Sequence, residues 1–455
     1  YSATYFQNEL IEYEEADFVL KGDSTEEPLY QLLCAIKNND SFSLIPNLTW
    51  KDETGSHSNP IEYVPNDLGS STNNYPSIFR SAIKYLHFNH MTPLLDWWQY
   101  PIVAIMSCRG CAFNCAICGG SCFAAQSVYG RRAPSFRPPQ MLVQDIEAVS
   151  RYTKGPIFII GDLRQAGDEY AKSVLHELKG KNISNQVVLE LFDTAPQWFF
   201  EEIGQSLPNF NFEISPESCN ERIRQVSGKW YTNQELEGNL RWAFEAGCKK
   251  FDIFFIIGLP EQTQEAVMAD VDYCRYLLST FGNSVSPFIS PLAPFLDPGS
   301  IAFENANDMG YTIFYHSLED YRNALLQPSW KYTLSYETKW MTREEIVMVT
   351  YKSARELNHI KWQCGLIDQE THSTIERRID AALELLEKID RMMDIVDYTE
   401  RKKRLHNLKS CMDAARVSII CEKDEIKWPL LKGIGGFKVR NILKDLIFKQ
   451  LWSSW

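Results

Sequence analysis

The run Ser107-Cys108-Arg109-Gly110-Cys111-Ala112-Phe113-Asn114-Cys115-Ala116-Ile117-Cys118-Gly119-Gly120 constrains this chain more than any other stretch. It puts four cysteines within eleven residues, and the last three are spaced C-x3-C-x2-C. A short loop with that spacing can carry three thiolates to three corners of a [4Fe–4S] cube. Cube clusters usually take four thiolates, so three leave one iron open to an exogenous ligand. Zinc sites instead pair two C-x2-C knuckles across a longer spacer. Here only three residues separate Cys111 from Cys115, which is tight for one tetrahedral ion. Bacterial ferredoxins use a different cysteine order. The run follows a strand-like stretch, Ile102-Val103-Ala104-Ile105-Met106, and ends in glycines.

This loop resembles that of the radical S-adenosylmethionine (SAM) superfamily, whose signature is C-x3-C-x-Φ-C with an aromatic or apolar Φ. Here Φ is Ile117. The flanking Ser-x-Arg-Gly-Cys…Phe-Asn-Cys…Cys wording is similar to the cobalamin-binding branch. The resemblance implies that Cys111, Cys115 and Cys118 hold the cluster, with Cys108 and Cys122 as neighbours. It implies that the amino and carboxylate groups of SAM chelate the open iron. An electron from the cluster then cleaves SAM to a 5′-deoxyadenosyl radical, which abstracts a hydrogen atom. An external electron donor of flavodoxin or ferredoxin type is implied as well.

At 455 residues the chain has room for two or three domains. The formal net charge of -13 argues against a nucleic-acid backbone as partner, which would favour a basic face. No apolar run reaches the roughly 18 residues of a spanning helix. Twelve cysteines, four of them in one loop, suit a reducing compartment, and a cytoplasmic location is expected. The chain opens on Tyr1, in what reads as the middle of a domain. Preceding residues, and with them a targeting segment, are therefore an open expectation.

Four segments are expected. Residues 1–70 carry a helix from Phe6 to Tyr13 and a strand at Asp17-Phe18-Val19-Leu20. A break at Gly22-Asp23-Ser24-Thr25-Glu26 then caps a helix from Pro28 to Ile36. With the hairpin around Ile45–Trp50 and Gly55, this resembles the C-terminal part of a Rossmann-like cobalamin-binding domain. That family's cobalamin-ligand run, D-x-H-x-x-G, is not in the chain. A small α/β appendage that binds nothing is the alternative. Residues 71–100 read as a linker, with the aromatic run Asp96-Trp97-Trp98-Gln99-Tyr100 at its end. Residues 101–330 alternate strands and helices, which argues for a parallel α/β sheet. Six strands, starting near Val103, Pro156, Val187, Phe210, Phe251 and Val285, predict a partial (β/α)6 barrel, not a closed eight-fold one. Residues 331–455 turn helical. Thr342-x-x-Glu345 is a capping box. Ile375, Ile379, Leu383, Leu386, Ile389 and Val396 mark a long amphipathic helix. Arg401-Lys402-Lys403-Arg404 reads as a solvated face.

Sites in such folds gather at the C-terminal ends of strands. Gly161-Asp162 follows the second strand, where the family's Gly-Gly-Glu-like turn receives the SAM ammonium. Ser215-Pro216-Glu217-Ser218 follows the fourth and resembles the ribose motif. A carboxylate at Glu217 can accept both hydroxyl protons of a diol. Arg224 and Lys229 follow, and either suits the SAM carboxylate. Gly258-Leu259-Pro260 follows the fifth strand, like the family's turn near the adenine. Pro294, in the loop after the sixth, matches the family's proline-rich loop beside adenine and substrate. Each turn alone is common in α/β proteins, so it is their order behind the cysteine loop that gives them weight.

These readings converge on a radical SAM enzyme with cobalamin-associated methyl transfer to an unactivated carbon. Ring formation, coupling or sulfur insertion by the same cofactors is the alternative, and an iron–sulfur electron-transfer module is the alternative of another class. The substrate is expected to be a small molecule or lipid-like. The last helix, with Val439, Ile442, Leu443, Leu446, Ile447 and Leu451 flanked by Lys438, Arg440, Lys444 and Lys449, fits a helix docked on its own protein or one lying on an anionic membrane surface.

Overall fold

Strands that are apolar on both faces have one place to go, a parallel sheet covered by helices. The computed structural model describes residues 2–69, 102–292, 294–408, 438–441 and 443–444. The N-terminal segment forms a three-stranded sheet, β1 (Phe18–Leu20), β2 (Leu48–Asp52) and β3 (Gly55–Ser58), with the helix Glu26–Asn38 between β1 and β2. All its pairings are antiparallel. Residues 6 to 13 do not form the single expected helix. Two one-turn helices, Ser2–Tyr5 and Gln7–Leu10, flank Phe6, which is buried between the rings of Tyr5 and Tyr321.

The chain then enters β4 (Val103–Met106) and a short antiparallel ladder, β5 (Cys108–Arg109) with β6 (Ser135–Phe136). β7 (Ile157–Ile160), β8 (Val187–Leu191), β9 (Phe210–Glu217), β10 (Phe251–Ile257) and β11 (Val285–Pro291) follow, each connected to the next through helix. β4 and β7–β11 make one six-stranded sheet in the order β11-β10-β9-β8-β7-β4, parallel throughout. Sequence neighbours are spatial neighbours, as in a partial barrel. One face of each strand packs under the helices: Phe210, Phe212 and Ile214 on β9, and Phe251, Ile253 and Phe255 on β10, are all buried. Alternation sends Glu190, Glu213, Ser215 and Asp252 to the other face. The β9–β10 ladder slips at Ser215-Pro216, where proline has no N–H to give. That bulge re-aims the strand end that carries Glu217.

A small ladder, β12 (Tyr311–Ile313) with β13 (Tyr336–Thr338), leads into the helix Arg343–Gln363. Thr342 and Glu345 close the expected capping box at its start. Its Ile346, Val349, Leu357 and Ile360 join the barrel core. Its Val347, Tyr351 and Ala354 pack instead on Ile375, Ile379 and Leu386 of the helix Gln369–Met393. That helix ends at Met393, so Val396 lies beyond it and is 96% exposed. The basic run at 401–404 sits on the helix Tyr398–Asn407, which buries none of its residues.

The aromatic run at 96–100 lies outside the described residues, as do Ile442, Leu446, Ile447 and Leu451 of the last helix. Lys438 donates its N–H to Tyr152 O at 2.8 Å, and Asn441 Nδ2 donates to Arg151 O at 3.0 Å. Val439 and Leu443 are 40% and 51% exposed. No helix among the described residues is long and apolar enough to cross a membrane.

Candidate functional site

The cysteine loop follows β5 and is held from several sides. Ala116 donates its N–H to Ser227 O at 2.9 Å, and Ala302 donates to Ala116 O at 2.8 Å. Gly119 N–H reaches Asp297 Oδ2 at 2.9 Å, and Ala112 N–H reaches Gln165 Oε1 at 2.8 Å. The loop is thus set by the turns after β7, β9 and β11, each of which follows a barrel strand. Two backbone N–H groups donate to cysteine sulfur: Phe113 to Cys111 at 3.4 Å and Gly120 to Cys118 at 3.3 Å. Such bonds favour thiolate and tune a bound cluster. Burial pushes the Cys111 thiol up to about 12 and Cys118 up to about 11, so a cation must displace the proton for either to act as ligand.

Gly228 fixes the distance between this loop and the turn after β9. It has φ +94, and a Cβ there would lie 2.4 Å from the carbonyl oxygen of Asn114 and 3.1 Å from the Cα of Cys115. Backbone cannot swing aside as a flexible side chain can. Gly228→Ala should therefore cost about 1–3 kcal/mol of stability and displace the cysteine loop. Denaturation midpoints together with iron retained after anaerobic reconstitution check this. Unchanged values for both would show that the loop can move aside.

Cys111, Cys115 and Cys118 line one cavity of about 300 Å³. Among the residues expected at the site, Ile117, Ser215, Glu217 and Lys229 share its wall. Gly161, Asp162, Arg224, Gly258 and Pro294 do not. Among the described residues no three His, Cys, Asp or Glu side chains converge as around a single metal ion. The thiols thus share a wall without gathering at one point.

Glu217 and Lys229 form the charged end of the cavity. They are 2.9 Å apart with side chains 8% exposed each. Glu217 has φ +68, rare for a residue with a side chain, at the end of the bulged β9. Burial pulls the Lys229 ammonium down, but Glu217, Tyr231 and Cys115 around it outweigh burial and its pKa ends raised. Lys229 Nζ also donates to Ser215 O. Arg224 is committed elsewhere. It is fully buried and donates to Ser218 O at 2.8 Å, Tyr231 O at 2.9 Å and Pro216 O at 3.3 Å. Asp162 is committed too: it pairs with Arg164 at 2.5 Å and accepts from Phe192 N–H at 3.0 Å. Gly258 packs under Tyr336, whose hydroxyl would lie 2.7 Å from an added Cβ. Pro294 is exposed, and its carbonyl accepts from Ser335 N–H at 2.6 Å.

Cys108 lies on β5, at the start of the loop. It is 8% exposed, and its Sγ lies 3.7 Å from Gly110 O. Cys122 opens the helix Cys122–Tyr129 and donates its N–H to Phe113 O at 2.8 Å. Neither lines the cavity.

Three carboxylates in the wall were not expected: Glu190, Glu213 and Asp297. Glu190 and Glu213 are single acids inside apolar strand runs, Val-Val-Leu-Glu-Leu and Phe-Asn-Phe-Glu-Ile. A buried acid in a strand is a recognised mark of a site, so a signal was there. Asp297 was read only as part of its loop.

Residues 105–274 match the family model of the radical SAM superfamily. The fold is similar to that of the radical S-adenosylmethionine methyltransferase TsrM from Kitasatospora setae with tryptophan substrate and the SAM analogue aza-SAM bound. The TM-score is 0.54 at 14% identity, over 82% of this chain and 70% of that one. The same protein with cobalamin and a [4Fe–4S] cluster bound aligns at TM-score 0.54 and 14% identity, over 91% of this chain and 79% of that one. The cobalamin-dependent S-adenosylmethionine radical enzyme OxsB, with aqua-cobalamin and SAM bound, aligns at TM-score 0.49 and 13% identity, over 100% of this chain and 66% of that one. The comparison with curated proteins found no match.

Proposed function

We propose that this chain, whose residues 105–274 match the radical SAM family model, is a radical SAM enzyme in which Cys111, Cys115 and Cys118 hold a [4Fe–4S] cluster. SAM occupies the adjoining cavity, and the outcome is methyl transfer to a small molecule. One observation carries the reading: the three cysteines share a single cavity wall with the Glu217–Lys229 pair. When bound, the cluster supplies the electron for reductive cleavage of SAM, drawn from an external donor of flavodoxin or ferredoxin type. The chain supplies position and shielding. Lys229 offers an ammonium to the SAM carboxylate. Glu217 can accept from the ribose hydroxyls. Phe113, Leu191, Phe192 and Leu292 give the cavity an apolar side that keeps water from reactive species.

Methyl transfer rests on the likeness to TsrM, whose described forms bind cobalamin and a [4Fe–4S] cluster. In the proposed division, residues 1–70 are the end of a cobalamin-type domain and 71–100 a linker. Residues 101–330 are then the barrel and 331–455 the helical domain. No D-x-H-x-x-G run occurs in these 455 residues. The second reading is ring formation, coupling or sulfur insertion without corrinoid. Anaerobic reconstitution followed by iron, sulfide and corrinoid assay separates the two. Release of 5′-deoxyadenosine from SAM on reduction tests both.

Glu217→Gln removes the charge and keeps the shape. SAM binding should weaken about tenfold, the effect of roughly 1.4 kcal/mol. Calorimetry reads it directly, and unchanged affinity would reassign Glu217 to holding Lys229 in place.

A further inference from the structure

Glu190 on β8, Glu213 on β9 and Asp252 on β10 stand opposite one another in register. Reading the cavity as a SAM site gives them no task. Asp252 is neutralised by Lys250 at 2.7 Å. Glu190 accepts from the N–H of Gly161 at 2.5 Å. Glu213 makes no hydrogen bond or ion pair among the described residues. Both glutamates line the cavity, and the cation beside them, Lys229, is already paired with Glu217. Glu213 precedes Glu217 on the same bulged strand, and their β10 partners, Asp252 and Phe255, are three residues apart, which sets Glu213 about 10 Å deeper at the usual rise. A ligand end held at Glu217 and Lys229 therefore leaves the deep wall to another group.

We infer that Glu190 and Glu213 act together as the recognition element for a protonated nitrogen, an alkylammonium group carried by a second small-molecule ligand. This rests on the proposed site and adds the charge class of what reaches its deep end. With both ionised, two carboxylates on adjacent strands in a poorly solvated wall would repel, and an incoming cation lets both carry charge by relieving the repulsion and the desolvation. Specificity follows, because a neutral isostere supplies no countercharge and gains nothing from the two acids.

The charged groups facing Glu213 are Glu190, Asp252 and Lys250, with Lys361 near Asp252. Burial first, then the charges of Glu190 and Asp252, push Glu213 up to about 8. At neutral pH it holds its proton. Ion-pair formation breaks that O–H bond and passes the proton to buffer. Affinity for the ammonium should therefore rise as pH climbs through about 8.

The test is calorimetry on the reconstituted holoenzyme at neutral pH, in two buffers of different ionisation heat. The probes are n-butylammonium chloride, n-butanol and SAM, each titrated into wild type and Glu213→Gln. We expect butylammonium to bind at least about tenfold tighter than butanol, with release of up to one proton, and Glu213→Gln to lose both effects. Proton release with SAM but not with butylammonium, again lost in Glu213→Gln, overturns the inference, because the acids would then answer to SAM and not to a second ligand. Equal binding of butanol and butylammonium without proton release in any titration overturns the inference, as does release that persists in Glu213→Gln. If SAM alone fails to bind wild type, the proposed function fails while the butylammonium arm still decides this one. Should Glu213→Gln not fold, Glu190→Gln serves in its place, and proton release should fall because one like charge is gone.

Discussion

Exchange of Cys111, Cys115 or Cys118 for alanine is expected to strip the reconstituted protein of most of its iron and sulfide, while Cys108→Ala keeps both. The three share one cavity wall, which Cys108 does not line. A cube held by three thiolates has none to spare, so each loss removes a third of the protein's grip. Structural metal sites of this kind carry roughly 10 kcal/mol or more of binding energy, so the effect is all but complete. Iron and sulfide assays measure it. The EPR spectrum of the reduced cluster, with and without SAM, should be unchanged in Cys108→Ala. Loss of the cluster in that variant alone would make this a four-cysteine site with no open iron. The proposed SAM chemistry would then fall. Cys122→Ala should behave like Cys108→Ala.

Arg131→Ala should destabilise the protein by about 3–5 kcal/mol, the usual result of removing one partner from a buried ion pair. The Arg131 side chain is 1% exposed and Asp23 16%. Arg131 pairs with both oxygens of Asp23, one of them at 3.0 Å, and donates to Pro65 O at 3.1 Å and Ser135 Oγ at 2.5 Å. It thereby ties the N-terminal sheet to the segment behind the cysteine loop. Arg109, next to that loop, adds bonds to Glu26 at 3.0 Å and Ser24 Oγ at 2.7 Å. The denaturation midpoint reads the loss. The double variant Asp23→Leu/Arg131→Met should recover much of it, since a buried pair exchanged for apolar groups is often neutral. If Arg131→Ala cost under about 1 kcal/mol, the pair would be behaving as a solvated surface bridge.

The cysteine spacing, the six strands and the capping box at Thr342 were legible in the sequence because each is a local pattern. Period-two strand runs, turn residues and a C-x3-C-x2-C loop need only neighbours a few residues away. Capping at Thr342 follows from a four-residue stretch. The choice between Arg224 and Lys229 was not legible, because both are cations shortly after the same strand. In the folded chain carbonyls of Pro216, Ser218 and Tyr231 take up Arg224, while Lys229 lines the cavity. Asp162 likewise reads as a site acid in sequence, until Arg164 and the Phe192 N–H claim it from outside its own turn. Glu190 and Glu213 could be noticed singly as acids in apolar strands, but their register is a property of parallel pairing between strands some twenty residues apart. The bulge at Pro216 and the φ of +68 at Glu217 also belong to the folded ladder alone. Sequence by itself determined which cysteines stand at cluster-ligand spacing, because that spacing is short-range. Only the tertiary structure decided which charges are left to meet a ligand, because neutralisation depends on partners that the sequence keeps far apart.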